Sequence, residues 1–447
     1  MKRVVITGVG MITPVGHTVD TTWKALLDGV NGITRITRYD TTEHRAKLAA
    51  EVKNFNPDDY FDKMESRKLD LYAQYGIVSA NEAVKDSGLV SHLNGNSSTS
   101  NINAERFGVY MGTGVGGFNT ITGACDTLRE RGCSRISAAL VPMIISNIAG
   151  AHIAIKHGCR GPNHAIVTAC ATGAHCIGEA FLAIRHGYAD AIIAGGAEAS
   201  INPLAMAGFA NMMALSTSDN PDEGSLPFDK RRAGFVMGEG AGAMVLEEYE
   251  HAKKRGAKIY AEITGYGNTC DAHHITAPDP NAEGLVRALT HALQGEFPFL
   301  GKGCTPTAGG VGLYPSIYYN AHGTGTELND RAETLALKTL FGENAKKIAI
   351  SSTKSMTGHL LGATGAVEAI VAVKSLETGF VPPTINLHAP DPELDLDYVP
   401  LVCRKVNPEI AISANLGFGG HNAVLVFKKH APEKPNWKKN LFTRGRD

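Results

Sequence analysis

Three short segments of this 447-residue chain occur twice, in the same order. Ile6-Thr-Gly-Val-Gly10 returns as Ile263-Thr-Gly-Tyr-Gly267. Val109-Tyr-Met-Gly-Thr-Gly114 returns as Tyr319-Asn-Ala-His-Gly-Thr-Gly325, and Ala171-Thr-Gly-Ala174 returns as Ala363-Thr-Gly-Ala366. A single echo means little in a chain with 50 glycines, but three in register predict two similar halves divided near Lys253-Lys-Arg-Gly256. The expected units are 1–255, 256–429 and a polar, basic tail at 430–447. Strand-like runs (Ala189 to Ala194, Ala241 to Leu246, Lys347 to Ser352, Ala423 to Phe427) alternate with helical ones. That pattern predicts an α/β chain made of βαβ units.

Several function classes fall away. A net charge of −1 argues against a general nucleic-acid binder. The longest apolar stretch, Ala138 to Ile155, is broken by Pro142, Ser146, Asn147 and His152, so it is no membrane span. The apolar start Val4 to Ile6 gives way at once to Thr7, Gly8 and Gly10, as in a buried first strand rather than a signal peptide. Eight cysteines without a CxxC pair read as reduced thiols. His92 to Ala104 and Gly301 to Pro315 read as surface insertions.

The chemistry concentrates in three places. Cys170 lies between small residues ahead of a helical run, Ala174 to Ile184, where a helix N-terminus favours thiolate. His322 follows a strand-like run and leads into Gly-Thr-Gly-Thr. Lys354 and His359 precede the repeated Ala-Thr-Gly-Ala helix. If the halves superpose, a thiolate, two imidazoles and an ammonium converge. Such a set suits carbon–carbon bond formation from thioesters: the thiolate takes an acyl group, and two neutral imidazoles stabilise an enolate.

Four longer motifs carry a resemblance: Gly161-Pro-Asn-His-Ala-Ile-Val-Thr-Ala-Cys170, Asn320-Ala-His-Gly-Thr324, Ser352-Thr-Lys-Ser-Met-Thr-Gly-His-Leu-Leu-Gly-Ala363 and Gly417-Phe-Gly-Gly-His-Asn422. From about Lys2 to Lys428 the chain resembles elongating β-ketoacyl-acyl-carrier-protein synthases. The resemblance implies a thiolase-like fold, two pseudo-duplicated halves in α-β-α-β-α layers, acting as a homodimer. It implies Cys170 as the acylated nucleophile, with its N–H and that of Phe418 as oxyanion hole. His322 and His359 would support decarboxylation of a malonyl thioester. Lys354 would order the site and hold His359, through Glu368, with Asp330 supporting. Thr324 and Thr326 would meet the pantetheine arm. Phe418, with Gly419 and Gly420, would form a gate that moves with the Asp271–His274 loop. Phe235 and Val115 would line the acyl pocket, valine suiting medium to long chains. Lys63, Arg67 and Lys68 would dock an acidic acyl carrier protein.

No cofactor or membrane association is implied. Some relatives hold a monovalent cation near Asn320 and Glu368; here Ala414 replaces a serine, and no metal is expected. Ala233 replaces an acidic residue and is expected to loosen a salt link near the gate, while His421 stands where threonine is common. Gly325 and Glu327-Leu-Asn-Asp330 resemble polyketide ketosynthases, which makes a polyketide or polyene ketosynthase the alternative reading. A silent chain-length partner is a third, against which Cys170 speaks. The Asn/Ser-rich insertion and Ile275-Thr-Ala-Pro-Asp-Pro280 point to a mitochondrial or other organelle matrix, with bacterial cytoplasm the alternative.

Overall fold

The computed structural model describes residues 1–91, 100–296 and 315–431. Most of the two expected insertions and nearly all of the tail therefore lie outside the described residues. Ten strands carry the architecture: β1 (Val4–Ile12), β2 (Phe107–Gly112), β3 (Asn163–His164), β4 (Ala191–Glu198), β5 (Gly240–Glu248), β6 (Ala261–Cys270), β7 (Ile317–Asn320), β8 (Ala349–Ser351), β9 (Ile410–Gly417) and β10 (His421–Lys429). Their order in the sheet is β8-β7-β9-β10-β6-β1-β5-β4-β2-β3. Counted outward from the centre, each five-strand half runs first, fifth, fourth, second, third. The pairing senses also agree: the two outermost junctions of each half are parallel and the two innermost antiparallel. Strands β1 and β6 pair antiparallel and join the halves.

The repeated Ile-Thr-Gly-x-Gly segments have a physical reason. In β1 a bulge leaves Thr7 unmatched between Ile6 and Gly8, and in β6 the bulge falls at Thr264, between Ile263 and Gly265. A helix then lies directly on the glycines that follow: α1 (Leu71–Ser87) on β1 and, further along, α5 (Glu283–Leu293) on β6. A Cβ at Gly8 or Gly10 would sit 2.1 Å from a carbonyl oxygen of Ala83 or Ser79. At Gly265 or Gly267 it would sit 1.8 or 1.9 Å from those of Ala292 or Ala288. No side chain fits, so both halves need glycine there.

Between α1 and α5 the chain forms α2 (Phe118–Arg131), α3 (Ile148–His157) and α4 (Thr172–Arg185); after α5 come α6 (Glu327–Phe341) and α7 (Thr364–Thr378). Helices α4 and α7 cross between the halves. A Cβ at Gly173 would lie 2.7 Å from Ala366 N, and one at Gly365 would lie 2.6 Å from Ala174 N. The repeated Ala-Thr-Gly-Ala is thus the crossing point of two helices. Around them sits a core including Ile177, Phe181, Leu246, Val367, Ile370 and Phe427. A second core joins α1 and α3 to the outer face of one half (Tyr72, Ile77, Phe107, Ile193), and a third joins α5 and α6 to the other (Leu289, Leu337, Ile412, Val424). Three cores between five layers make the expected α-β-α-β-α stack. Among the described residues no helix is long and apolar enough to cross a membrane.

Candidate active site

Three strand ends deliver the site. Past β3 the chain makes one 3-10 turn, Ala169–Ala171, with Ala169 in the left-handed region (φ 50°), and enters α4. Cys170 lies in that turn, in one buried cluster with Ile201, Met206, Phe235 and Leu361. Backbone N–H groups of Phe418 and of Cys170 itself act on the sulfur. Burial nevertheless pushes the thiol up to about 12, against the pull of the Lys354 charge and those N–H groups. This corrects the expectation of a thiolate: the helix N-terminus is present, but desolvation outweighs it.

His322 follows β7. Its backbone N–H and that of Gly323 donate to the two Glu333 oxygens at 2.7 and 2.8 Å, which fixes the turn. Its Nδ1 is buried without a partner. His359 is clamped by its backbone, its N–H donating to Val236 O (2.7 Å) and its carbonyl accepting from Gly238 N (2.8 Å). Its Nδ1 meets Thr364 Oγ1 at 3.0 Å. The rings face each other edge to face, centroids 5.3 Å apart. Burial and the nearby Lys354 charge hold both imidazoles well below their ordinary pKa, so both are neutral.

Lys354 Nζ lies 2.6 Å from Glu368 Oε1, both fully buried, and Asn415 Nδ2 donates to the other Glu368 oxygen at 2.7 Å. Here the structure differs from the sequence reading. His359 is held by Thr364 and by backbone, not by Lys354 through Glu368; the lysine acts on the imidazoles as a charge.

The cysteine and both histidines border one cavity of about 270 Å³, with Thr324, Thr326, Phe235, Phe418, Gly420 and His421 also on its wall. Thr324 and Thr326 share a hydroxyl contact of 2.9 Å. Phe209, not anticipated from sequence, lies between Phe235, met edge to face, and Phe418, with centroid distances of 5.8 and 6.3 Å. The turn that bears Phe418 is tied to the neighbouring loop: Gly419 N donates to Ile275 O (2.7 Å) and Asp271 N to Gly420 O (2.8 Å). Thr276, Ala277 and Pro278 of that loop border the cavity, whereas Gly419, Asp330 and His274 do not. Asp330 instead accepts from Phe228 N and Gly325 N, at 2.8 and 3.2 Å, and so shapes the threonine loop from behind.

Other expectations are corrected. Val115 is 39% exposed and off the cavity wall in the single chain, because its glycine-flanked segment turns outward before α2. Arg232, beside Ala233, keeps a 2.7 Å contact with Asp391. Lys63, Arg67 and Lys68 are exposed on and just after a short helix, away from the cavity. Ala414 does not empty the cation position: Asn320 Oδ1, Ser413 Oγ and Asn415 Oδ1 are buried without partners, and Ser413 faces Asn320 across the β7–β9 pair. With Glu368 beside Asn415, these oxygens fit a monovalent cation. Thr364 was within reach of sequence reasoning, since it belongs to the repeated Ala-Thr-Gly-Ala. Glu333 carried no such signal.

A buried thiol facing two neutral imidazoles, where two half-sheets of one topology meet, defines a carbon–carbon condensing enzyme of thiolase-like fold. The chain belongs to the β-ketoacyl synthase family: residues 1–252 match its N-terminal domain and residues 316–388 its C-terminal domain. It is 50% identical over 430 residues to the 3-oxoacyl-[acyl-carrier-protein] synthase 2 of Staphylococcus aureus (strain N315), covering 96% of this chain and 98% of that one. The enzyme of that name from Synechocystis is 46% identical over 432 residues, with the same coverage. Among solved structures, a type II polyketide ketosynthase in complex with its acyl-carrier protein matches with a TM-score of 0.82 at 31% identity, over 96% of this chain and 100% of that one.

Proposed function

We propose that this enzyme lengthens fatty acyl chains by two carbons, drawing both substrates from an acyl carrier protein. One observation carries the reading: the Cys170 sulfur, under two backbone N–H groups, shares a cavity with two neutral imidazoles. In the first half-reaction Cys170 attacks the acyl thioester. The carbonyl oxygen becomes an oxyanion held by the N–H groups of Cys170 and Phe418, and the departing pantetheine sulfur leaves with the thiol proton. In the second, His322 and His359 donate from Nε2 to the malonyl thioester carbonyl while its carboxylate leaves as CO2. The enolate attacks the acyl-cysteine in the same oxyanion hole. The new 3-oxoacyl thioester departs on the carrier, and Cys170 regains one proton from solvent.

For His359 the reaction needs the proton on Nε2, a tautomer in which Nδ1 accepts from the Thr364 hydroxyl. Burial, reinforced by the Lys354 charge, keeps both rings neutral, which suits donors that must not surrender a full proton. Thr324 and Thr326 sit where a pantetheine arm would pass, and Phe418 with the 271–278 loop acts as the gate. Lys63, Arg67 and Lys68 offer positive charge to an acidic carrier. We divide the chain functionally at 255/256, the nucleophile in one half and the histidines and lysine in the other.

A homodimer accords with an uncovered apolar face. Helix α2 buries none of its residues, and Leu128, Val141, Ile145 and Val167 are exposed around the β3 edge. Covering that face would also enclose Val115, so its part in chain-length selection is a proposal for the dimer. Relatives at 46–50% identity are bacterial, which favours bacterial cytoplasm over an organelle matrix. A polyketide ketosynthase is the second reading, supported by the 31% structural match.

Intact-protein mass after mixing with acyl-carrier thioesters of graded length, followed by malonyl-carrier and product analysis, tests the assignment. Acylation confined to Cys170, with release of a chain two carbons longer, is expected. Absence of acylation by every straight-chain donor would overturn it.

A further inference from the structure

The turn that carries the nucleophile is built twice, and one copy is silent. Cys170 stands two residues before Thr172-Gly-Ala174, and Gly362 two before Thr364-Gly-Ala366. Each lies in a single 3-10 turn feeding a central helix, and each follows a residue in the left-handed region, Ala169 (φ 50°) or Leu361 (φ 45°). Gly362 is therefore the counterpart of Cys170. The strand ends correspond too: eight-residue β9 ends at Gly417, and eight-residue β4 ends at Glu198. A Cβ on Gly417 would come within 3.4 Å of Cys170 N and 3.2 Å of Ala171 N. The active turn thus needs glycine there to leave the Cys170 N–H open to a substrate oxygen.

At the silent turn a side chain from the opposite half fills that space. Glu198 is fully buried, and its Oε2 accepts from Gly114 N at 2.9 Å and Gly362 N at 3.2 Å. Its Oε1 accepts from Ser200 Oγ at 2.7 Å and Thr113 Oγ1 at 3.4 Å. One oxygen held by two backbone N–H groups is what an oxyanion hole offers to a substrate.

We propose that Glu198 is a positioning residue for the condensation: its carboxylate occupies the silent counterpart of the Cys170 N–H and, through Gly362, fixes the turn between His359 and Thr364. Gly362 lies between that histidine and the hydroxyl that orients it. Its carbonyl is wedged against the other half, where a Cβ on Gly173 or Gly196 would lie 3.1 or 2.3 Å from it. Without the carboxylate, two buried N–H groups lose their acceptor and the turn relaxes. The main consequence falls on His359 and so on decarboxylation; Glu198 does not bond the turn of Cys170 and reaches its thiol only as a minor charge. The proposal rests on the reaction assigned above.

The test compares Glu198→Ala, Glu198→Gln and Glu198→Asp in single turnovers: Cys170 acylation by intact mass with one acyl-carrier thioester, then CO2 release from malonyl-carrier. An amide at 198 still offers one oxygen to both N–H groups, and the Ser200 and Thr113 hydroxyls can turn to accept from its nitrogen. Glu198→Ala is expected to slow CO2 release by about 10- to 100-fold, the scale of a displaced catalytic group, with acylation changed less than about threefold. Glu198→Gln should restore CO2 release to near wild type. If the alanine variant does not fold, the aspartate variant, too short to reach both N–H groups, should show the same split. Equal slowing of both half-reactions, a glutamine variant no better than alanine, or no slowing would overturn the proposal. Failure of the wild-type chain to acylate at all would instead sink the assigned reaction.

Discussion

His359 Nδ1 lies 3.0 Å from Thr364 Oγ1, a contact that joins the catalytic loop to the first residue of α7. It orients the ring and, with the hydroxyl as donor, leaves the proton on Nε2. Thr364→Val keeps the shape and removes the donor, so the Nε2 proton is no longer assured. CO2 release from malonyl-carrier should fall by about tenfold, one hydrogen bond of roughly 1 to 1.5 kcal/mol, while acylation of Cys170 stays near wild type. Thr364→Ser should recover most of the loss. Single-turnover rates of the two half-reactions decide it, and an unchanged valine variant would remove Thr364 from the site.

Removing the nucleophile should separate bond formation from decarboxylation. Cys170→Ala should abolish condensation. Cys170→Gln, whose amide imitates an acyl-cysteine carbonyl under the N–H groups of Cys170 and Phe418, should release CO2 from malonyl-carrier without forming a longer chain. Product analysis by mass spectrometry reads both, and condensation by either variant would sink the assigned mechanism.

Much of the fold was legible because the constraints that shape it are backbone constraints, and glycine records them. Gly8 and Gly265 each lie under a helix, and Gly173 and Gly365 mark a helix crossing, so the duplicated motifs report packing directly. The histidines and Cys170 were legible from motif context. What escaped the sequence was which polar group holds which. Glu198 reaches the site only through pairings with the distant Gly114 and Gly362, and nothing local distinguishes Glu333 from any helical glutamate. The state of Cys170 was misjudged for a related reason: a helix N-terminus can be read from sequence, whereas the burial that opposes it depends on Ile201, Met206 and Phe235 converging from elsewhere.

Glu333 should leave a signature in the pH dependence of stability. Burial raises its carboxyl from 4.5 to about 7, against the pull of the Gly323 and His322 N–H groups. A carboxyl with a raised folded pKa binds its proton more tightly in the native state. Its stabilising effect is complete below the unfolded value near 4.5 and is lost as pH rises through about 7. Glu333→Gln cannot titrate. Whatever constant offset the amide introduces, the variant should gain on wild type between pH 4.5 and 7, by up to ~3 kcal/mol. Urea midpoints at pH 5 and pH 8 measure it, and a difference that does not change with pH would show that Glu333 is not protonated in the native state at pH 5.

Charge reversal at the docking surface should act on encounter and leave chemistry alone. Lys63, Arg67 and Lys68 lie outside the cavity wall, so none can touch the reacting atoms. Replacing all three with glutamate should raise KM for acyl-carrier substrates by about tenfold or more at low salt, since opposed rim charges mainly change association. The effect should shrink as ionic strength rises and screening sets in. Acylation by a small pantetheine thioester, which needs no carrier surface, should proceed at the wild-type rate. If both donors slow together, the triple variant has damaged the fold. If neither does, the carrier docks elsewhere, and the exposed Met213, 84% accessible just beyond the helix that bears Phe209, is the next place to look.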